Sequence, residues 1–545
     1  MRTQAVATTE LDRQVRTEGE TRHDSLDGEH MTHQNNPEED ARAEELAWVR
    51  TQPKVPIVTP SPYPMIRFAE PGHPFDRPVR VEADIEGLEC VQGEIPAHLN
   101  GTYYKVVSDR QFPSFVENDL GYFNDDGMAL SFRFHDGKVD YKSRFIRTPR
   151  FEAEKAAGRS LFGKYRNQFD DDAMVEGMLR GNANTNLFFH GGKLYAAKED
   201  SPPIILDPIT LETLGVYDFE GSLTSKSSTA HPKIDPITGE MVFFGYAAKG
   251  DTTRDIAYYE ADSTGQIIHE TWFKAPYSAM VHDFAVTQNY VVFPIIPLRS
   301  EREWIEKGES SFQWDASEDV YLGVMPRKGD GAKIRWFRGR SRFASHTLGA
   351  YDDGRYIYID SPVSESKYFP WFPNRDGSPH DAVKGRTTLT RWTIDLHDGS
   401  DGFTESSISD LGVEFPRMDD RFETLQHTWG AMAVSSVPGI EMQGHGFRWV
   451  STVDYATGAQ KLYYPGEGST VGEPVFVPGA PGAPEGHGYV LVLVSRRDAM
   501  HSDLVVLDAQ NVDKEPVCTL RMPLRVPKGL HGNWVSDEEL GQRTD

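Results

Sequence analysis

Four histidines stand at the edges of apolar, strand-like runs, and imidazoles so placed can hold a metal ion. His231 lies in SSTAHPKIDPITGE, ahead of the strand-like MVFFGY. His282 heads the apolar AMVHDFAVTQNYVVFPII, His346 lies in RFASHTLGAYDDGRYIYID, and His531 lies in PLRVPKGLHGNWVS. Successive members are 51, 64 and 185 residues apart. Four neutral imidazoles without a thiolate suit Fe(II), Cu(II) or Zn(II). An all-imidazole shell with open positions suits O2 chemistry at iron. A ligating histidine needs its second nitrogen held, often by a carboxylate. Glu199 in YAAKEDSPP, Glu414 in LGVEFPRMD and Glu473 in VGEPVFVP sit in apolar or turn contexts and are candidates for that role. No HExxH, HxH or CxxC pattern gathers ligands locally. Taken singly, each histidine also reads as a packed core residue, and each glutamate as a surface charge.

Ligands this far apart meet only where many elements converge. From about Pro56 onward, short β-rich runs alternate with Gly, Asp and Asn turns, as in FRFHDGKVDYKSRF, LFFHGGKLYAAKE and GHGYVLVLVSRRD. Asp-Gly and Gly-Gly pairs mark hairpins, because such turns need positive φ. Thr287-Gln288-Asn289 reads as the turn of the His282 hairpin. The hairpins recur at roughly 50-residue intervals from Phe132 to Leu507, which points to the blades of a β-propeller. Inner strands of successive blades would bring distant ligands to one axis. A stack of β-sandwiches is the alternative, although no Pro/Ser-rich linker breaks the chain after residue 60. Residues 1–45 are polar and free of aromatics and read as a disordered tail, leaving 46–545 as a single domain. Pro149 to Asn167, PRFEAEKAAGRSLFGKYRN, reads as a helix capping one face of the β body. SKYFPWFPNRDGSPHDAV reads as a long loop suited to a lid or site wall.

The net charge of −26 repels phosphate backbones and argues against a nucleic-acid partner. With only Cys90 and Cys518 there is no disulfide framework, which fits a reducing compartment. No apolar run approaches the roughly 18–20 residues that span a bilayer, and the N-terminus carries no apolar signal core. The expectation is a cytoplasmic protein without membrane insertion, monomeric or homodimeric.

At the four histidines the sequence resembles the carotenoid cleavage oxygenase family. The matching stretches are STAHPKIDPITGEMVFFGYAAKG, MVHDFAVT, ASHTLGAYDDG and LHGNW, with AAKEDSPP, EFPRMDDRF and GEPVFVP for the glutamates and EIPAHLNGTYYKV near the start. The resemblance covers roughly residues 65 to 540, in the family's order. It implies an all-β, seven-bladed β-propeller with helices and loops forming a dome over the iron-containing face. It implies a non-haem Fe(II) held by His231, His282, His346 and His531, with Glu199, Glu414 and Glu473 bonded to three of those rings. Asp283 is not one of these acids, since neighbouring strand residues point to opposite faces.

TPRFEAEKAAGRSLFGKYRN, ANTNLFFHGGKLYAAKEDSPP and HETWFKAPYSAMVHDFAVT are similar to the branch that cleaves phenylpropanoid alkenes, the lignostilbene, resveratrol, isoeugenol and vinylphenol oxygenases. The implied reaction is cleavage by O2 of the C=C bond of a 4-hydroxyphenyl-propenoid or stilbene, giving aromatic aldehydes. Stilbene cleavers hold the 4-hydroxyl with a tyrosine and a lysine. By position these match Tyr122 in GYFNDDGM and Lys155 in EAEKAAG, 33 residues apart. Thr185 in NANTNLFF matches a threonine near an open iron position. Alternatives are vanillin formation from isoeugenol or 4-vinylguaiacol, cleavage of an apocarotenoid, and a metal-free propeller acting as a binding scaffold.

Overall fold

The computed structural model describes residues 73–116, 119, 123–440 and 446–541. The expected tail, its boundary at residue 45 and Tyr122 lie outside the described residues. Within them the strands form seven sheets of four to six strands and one two-stranded ribbon, Leu298–Arg299 with Gln313–Trp314. All pairings between the strands of these sheets are antiparallel, as expected of sheets built from consecutive hairpins.

The seven sheets are the blades of a β-propeller, and the ring is closed twice. The last strand, Gly529–Ser536, pairs with Gly101–Ser108 of the first blade, with Gly101 opposite Ser536 and Tyr104 opposite Asn533. The early strand Glu89–Gly93 in turn pairs with Cys518–Arg521 of the last blade. Each end of the ring thus supplies a strand to the other, so both hydrogen-bonding edges are satisfied. A row of separate sandwiches offers no reason for such an exchange.

Turn chemistry sets the hairpins. Asp136 and Gly137 both have positive φ, 47° and 67°, between Gly127–His135 and Lys138–Phe145. Gly191 and Gly192 repeat this at 55° and 76°. At the His282 hairpin, the Thr287 hydroxyl accepts the Asn289 and Tyr290 N–H groups and sets Val286 opposite Val291. Adjacent blades pack through aromatic side chains. Phe188, Tyr195, Phe219, Phe243 and Tyr259 form a continuous stack with successive centroids 4.9, 6.0, 4.9 and 5.0 Å apart. Each such pair adds about 0.5–1.5 kcal/mol beyond area burial.

The helix expected over residues 149–167 is shorter: α1 spans Pro149–Ala157. Thr148 caps its start, accepting the Phe151 N–H, and Pro149 occupies the first turn. Gly158, left-handed at φ 67°, ends it. The buried Glu154 carboxylate then accepts the N–H groups of Leu161 (2.8 Å) and Phe162 (3.1 Å), folding the chain back. Helical composition beyond Gly158 is overridden by these contacts. The expected loop around Pro370 has no strand or helix over residues 365–371, and its Phe369, Trp371 and Phe372 rings pack around Phe123. No helix among the described residues is long and apolar enough to cross a membrane.

Candidate metal centre

The innermost strands carry the histidines to one point. His231 precedes Lys233–Ile234, His282 precedes Ala285–Val286, His346 lies between Phe343–Ala344 and Gly349–Asp352, and His531 sits within Gly529–Ser536. One ligand atom from each lies within 4.8 Å of all the others. The Nε2 atoms of His231 and His282 are 3.0 Å apart, and those of His282 and His346 are 3.2 Å apart. His231, His346 and His531 are buried, and His282 nearly so.

Carboxylates stand behind three of the rings. Glu199 accepts from His282 Nδ1, Glu414 from His346 Nδ1 at 2.5 Å, and Glu473 from His531 Nδ1 at 2.8 Å. Among the described residues no carboxylate stands behind His231. Each carboxylate is itself held. Tyr165 Oη (2.7 Å) and Tyr246 Oη (3.0 Å) donate to Glu199. Ser345 Oγ and the Phe415 N–H (2.7 Å) donate to Glu414, and the Gly532 N–H (3.0 Å) to Glu473. Burial works to raise all three acids. The histidine partners outweigh it, aided by Arg166 and Lys198 at Glu199 and by Arg417 and Lys105 at Glu473. Glu199 is held well below the usual carboxylate range, and Glu473 is held down to about 2. Burial pushes His531 down to about 4, and burial with three neighbouring imidazoles pushes His231 well down.

This arrangement fits a metal ion. An ionised carboxylate only accepts, so a neutral His282 or His346 would carry its proton on Nδ1 and present a bare Nε2 lone pair. Two lone pairs 3.2 Å apart repel unless a cation lies between them. With metal–nitrogen bonds of about 2.1 Å, separations of 3.0 and 3.2 Å correspond to angles of about 90–100° at the ion. A closed tetrahedral zinc site would hold its nitrogens about 3.4 Å apart. Both separations are within reach of a single metal ion held between the rings.

The other residues singled out from the sequence fall differently. Thr185 is buried; its carbonyl accepts the His531 N–H at 3.1 Å, and its own N–H donates to Ala197. Asp283 turns away from the carboxylate shell to Lys233, at 3.1 Å, and accepts the Phe284 and Thr347 N–H groups. Lys155 does not join this group. It is exposed on α1, its ammonium 5.8 Å from the Phe151 ring centroid.

A different tyrosine and lysine, also 33 residues apart, lie at the centre: Tyr165 and Lys198. Lys198 is 2% exposed; its Nζ donates to the Phe123 carbonyl (2.9 Å) and Asn184 Oδ1 (3.0 Å) and lies 4.8 Å from the Tyr165 ring centroid. Burial pushes it down to about 8. The sequence shows that Lys198 adjoins Glu199 at an apolar strand end, but not that its ammonium is buried. Exposure of the helical lysine could not be read from composition.

Comparison with known proteins agrees with this geometry. Residues 76–536 match the family described as retinal pigment epithelial membrane protein. The chain is 44% identical over 478 residues to lignostilbene-alpha,beta-dioxygenase isozyme III of Sphingomonas paucimobilis, covering 85% of this chain and 96% of that protein. It is 44% identical to isoeugenol monooxygenase of Pseudomonas putida, covering 84% and 96%. The crystal structure of Pseudomonas brassicacearum lignostilbene dioxygenase superposes with a TM-score of 0.81 at 38% identity, covering 84% and 96%. With the four-histidine axis and the seven blades, these matches place the chain in the retinal pigment epithelial membrane protein family, the carotenoid cleavage oxygenases.

Proposed function

We propose that the protein is an Fe(II)-dependent oxygenase that cleaves the C=C bond of a 4-hydroxyphenyl alkene, a stilbene in the first instance, to aromatic aldehydes. The observation that carries this reading is the pairing of a four-imidazole centre with a buried lysine and tyrosine beside one of its carboxylates. His231, His282, His346 and His531 would hold the iron, and Glu199, Glu414 and Glu473 would fix three of the rings. Iron bound there supplies the activation of O2. Thr185, held against His531 through its carbonyl, would stand near the open coordination positions.

The chain's own residues bind and polarise the alkene. Phe123, Phe369, Trp371 and Phe372 form an apolar aromatic wall next to Tyr165, suited to a planar aromatic substrate and to keeping water out. Lys198 is mostly ammonium at neutral pH and sits among these rings, so it favours the phenolate form of a 4-hydroxyl. A phenolate pushes electron density through its ring into the conjugated alkene, the carbon that must be attacked by oxygen. We assign the phenol-holding role to Tyr165 and Lys198 instead of Tyr122 and Lys155. Tyr165 donates to Glu199, so the phenol-binding pair and the ring orientation of His282 share one network. The work of the protein is positioning and electrostatics.

Smaller phenolic alkenes such as isoeugenol or 4-vinylguaiacol use the same phenol chemistry, and the 44% identity to an isoeugenol monooxygenase supports that second reading. The iron reading is tested by replacing His282 with Ala and measuring bound metal. Loss of stoichiometric iron and of turnover is expected. An iron-loaded, active variant would overturn the ligand assignment.

A further inference from the structure

The metal centre has a second side. A cavity of about 390 Å3 has His231, His346 and His531 among its lining residues. His282 does not line it, nor do Phe123, Phe369 or Trp371. Three of the four histidines therefore border a space that the aromatic wall next to Tyr165 and Glu199 does not line. Its walls are charged: Lys233, Asp283, Arg417, Asp420 and Glu423 all face it. Glu473, which orients His531, and Glu539 lie on it too, and Arg421 is the remaining cation, so carboxylates outnumber cations five to three.

Most of these charges are paired. Lys233 binds Asp283, and Arg417 binds Asp420 at 3.2 Å and reaches Glu473 at 3.5 Å. Glu423 is different. Its carboxylate has no hydrogen bond or salt bridge among the described residues. Burial and the neighbouring Asp420 and Asp283 raise it, against the attraction of Lys233. Asp420 and Glu539 are exposed, so the charged wall runs from solvent to three of the candidate ligand residues.

We propose that this cavity is the path by which a hydrated divalent cation enters and loads the four-histidine centre. The inference rests on the metal-centre reading given above. A dication loses too much hydration energy to cross a wall of phenylalanine and tryptophan rings. A polar cleft with excess carboxylate conducts it, because low-dielectric walls focus the negative potential and raise the local cation concentration. Glu423 acts as a relay whose acceptor atoms are not committed elsewhere. Asp420 draws the ion in at the exposed end. The alkene and the metal thus approach the centre from different sides, and a loaded centre can exchange metal without displacing substrate.

The test is the rate of Co(II) uptake by the metal-free full-length protein, followed by visible absorption after rapid mixing. The wild type should take up one equivalent, more slowly as ionic strength rises. Glu423→Gln combined with Asp420→Asn should slow uptake about tenfold and weaken its salt dependence, with the same final stoichiometry. Glu423→Lys should slow it further. Saturating 4-hydroxystilbene should leave the wild-type rate unchanged. Equal uptake rates in wild type and in both variants, or uptake blocked by the stilbene, would overturn the path while leaving the metal centre standing. A wild type that binds no Co(II) would overturn both.

Discussion

In the proposed reaction, substrate selection turns on Lys198. It is buried, its ammonium is shared between a carbonyl and an amide oxygen, and its pKa is pushed down to about 8 by burial. Its charged form, which favours phenolate, is lost as pH rises through that value. For a 4-hydroxystilbene, kcat/KM should fall on the alkaline side with an apparent pKa near 8, and a 4-methoxy analogue should lack that limb. Lys198→Met should lower kcat/KM for 4-hydroxy substrates by at least about tenfold, the scale of one well-placed charged contact, and retain bound metal. Lys155→Met should leave both within twofold. The reverse pattern would return the role to Lys155. At this scale much of the site was legible. His231, His282, His346 and His531 sit at element edges in an ordered series of motifs, and all four come together with Glu199, Glu414 and Glu473. Lys198 was not legible, because strand alternation beside Glu199 does not say whether an ammonium meets solvent or the Tyr165 ring.

At the scale of elements, the closing strand Gly529–Ser536 does two jobs. It completes the first blade and delivers His531. Gly532 makes the pairing possible: a Cβ there would lie 2.3 Å from the Tyr104 carbonyl oxygen. Gly532→Val should therefore cost about 1–3 kcal/mol by overpacking, and lower Tm and metal stoichiometry together. A variant with reduced Tm but full metal content would uncouple the two. The hairpins were readable because their signals are local: Asp136-Gly137 and Gly191-Gly192 need positive φ wherever they occur. The two closures were not, since Gly101 and Ser536 are far apart in sequence and nothing local marks them as partners. The over-long helix reading failed for a related reason. Gly158 alone is a weak stop signal in a sequence; its left-handed cap ends α1, and the return of the chain onto the Glu154 carboxylate keeps the helix from resuming.

Across the whole molecule, a metal at the four histidines would join blades that otherwise meet through packing and buried charged contacts such as Arg327 with Asp235, Glu240 and Glu260. Four imidazoles from four blades would share that ion, so its binding would favour the closed ring over any opened form. At metal concentrations a hundredfold above Kd this adds about 2.7 kcal/mol. Removing the metal with a chelator should lower Tm, and restoring Fe(II) should recover it. The metal-free protein should also lose stability on acidification. His531 is pushed from 6.5 down to about 4, so the unfolded chain binds protons first and stability falls as pH drops from about 6.5 towards 4. Glu473, held down to about 2 from 4.5, adds a further loss below about 4.5. His346, raised by Glu414 against burial, works in the opposite sense. A metal-free Tm flat between pH 7 and 5 would contradict this balance.

The most direct test of the central claim is product identification from the Fe(II)-loaded protein with O2 and, in parallel, resveratrol, isoeugenol, 4-vinylguaiacol and an apocarotenal. Two hydroxybenzaldehydes from resveratrol, absent with His282→Ala, are the predicted result. Vanillin from isoeugenol or 4-vinylguaiacol without stilbene cleavage would keep the metal chemistry and shrink the pocket. No turnover of any alkene by protein carrying stoichiometric iron would contradict the account.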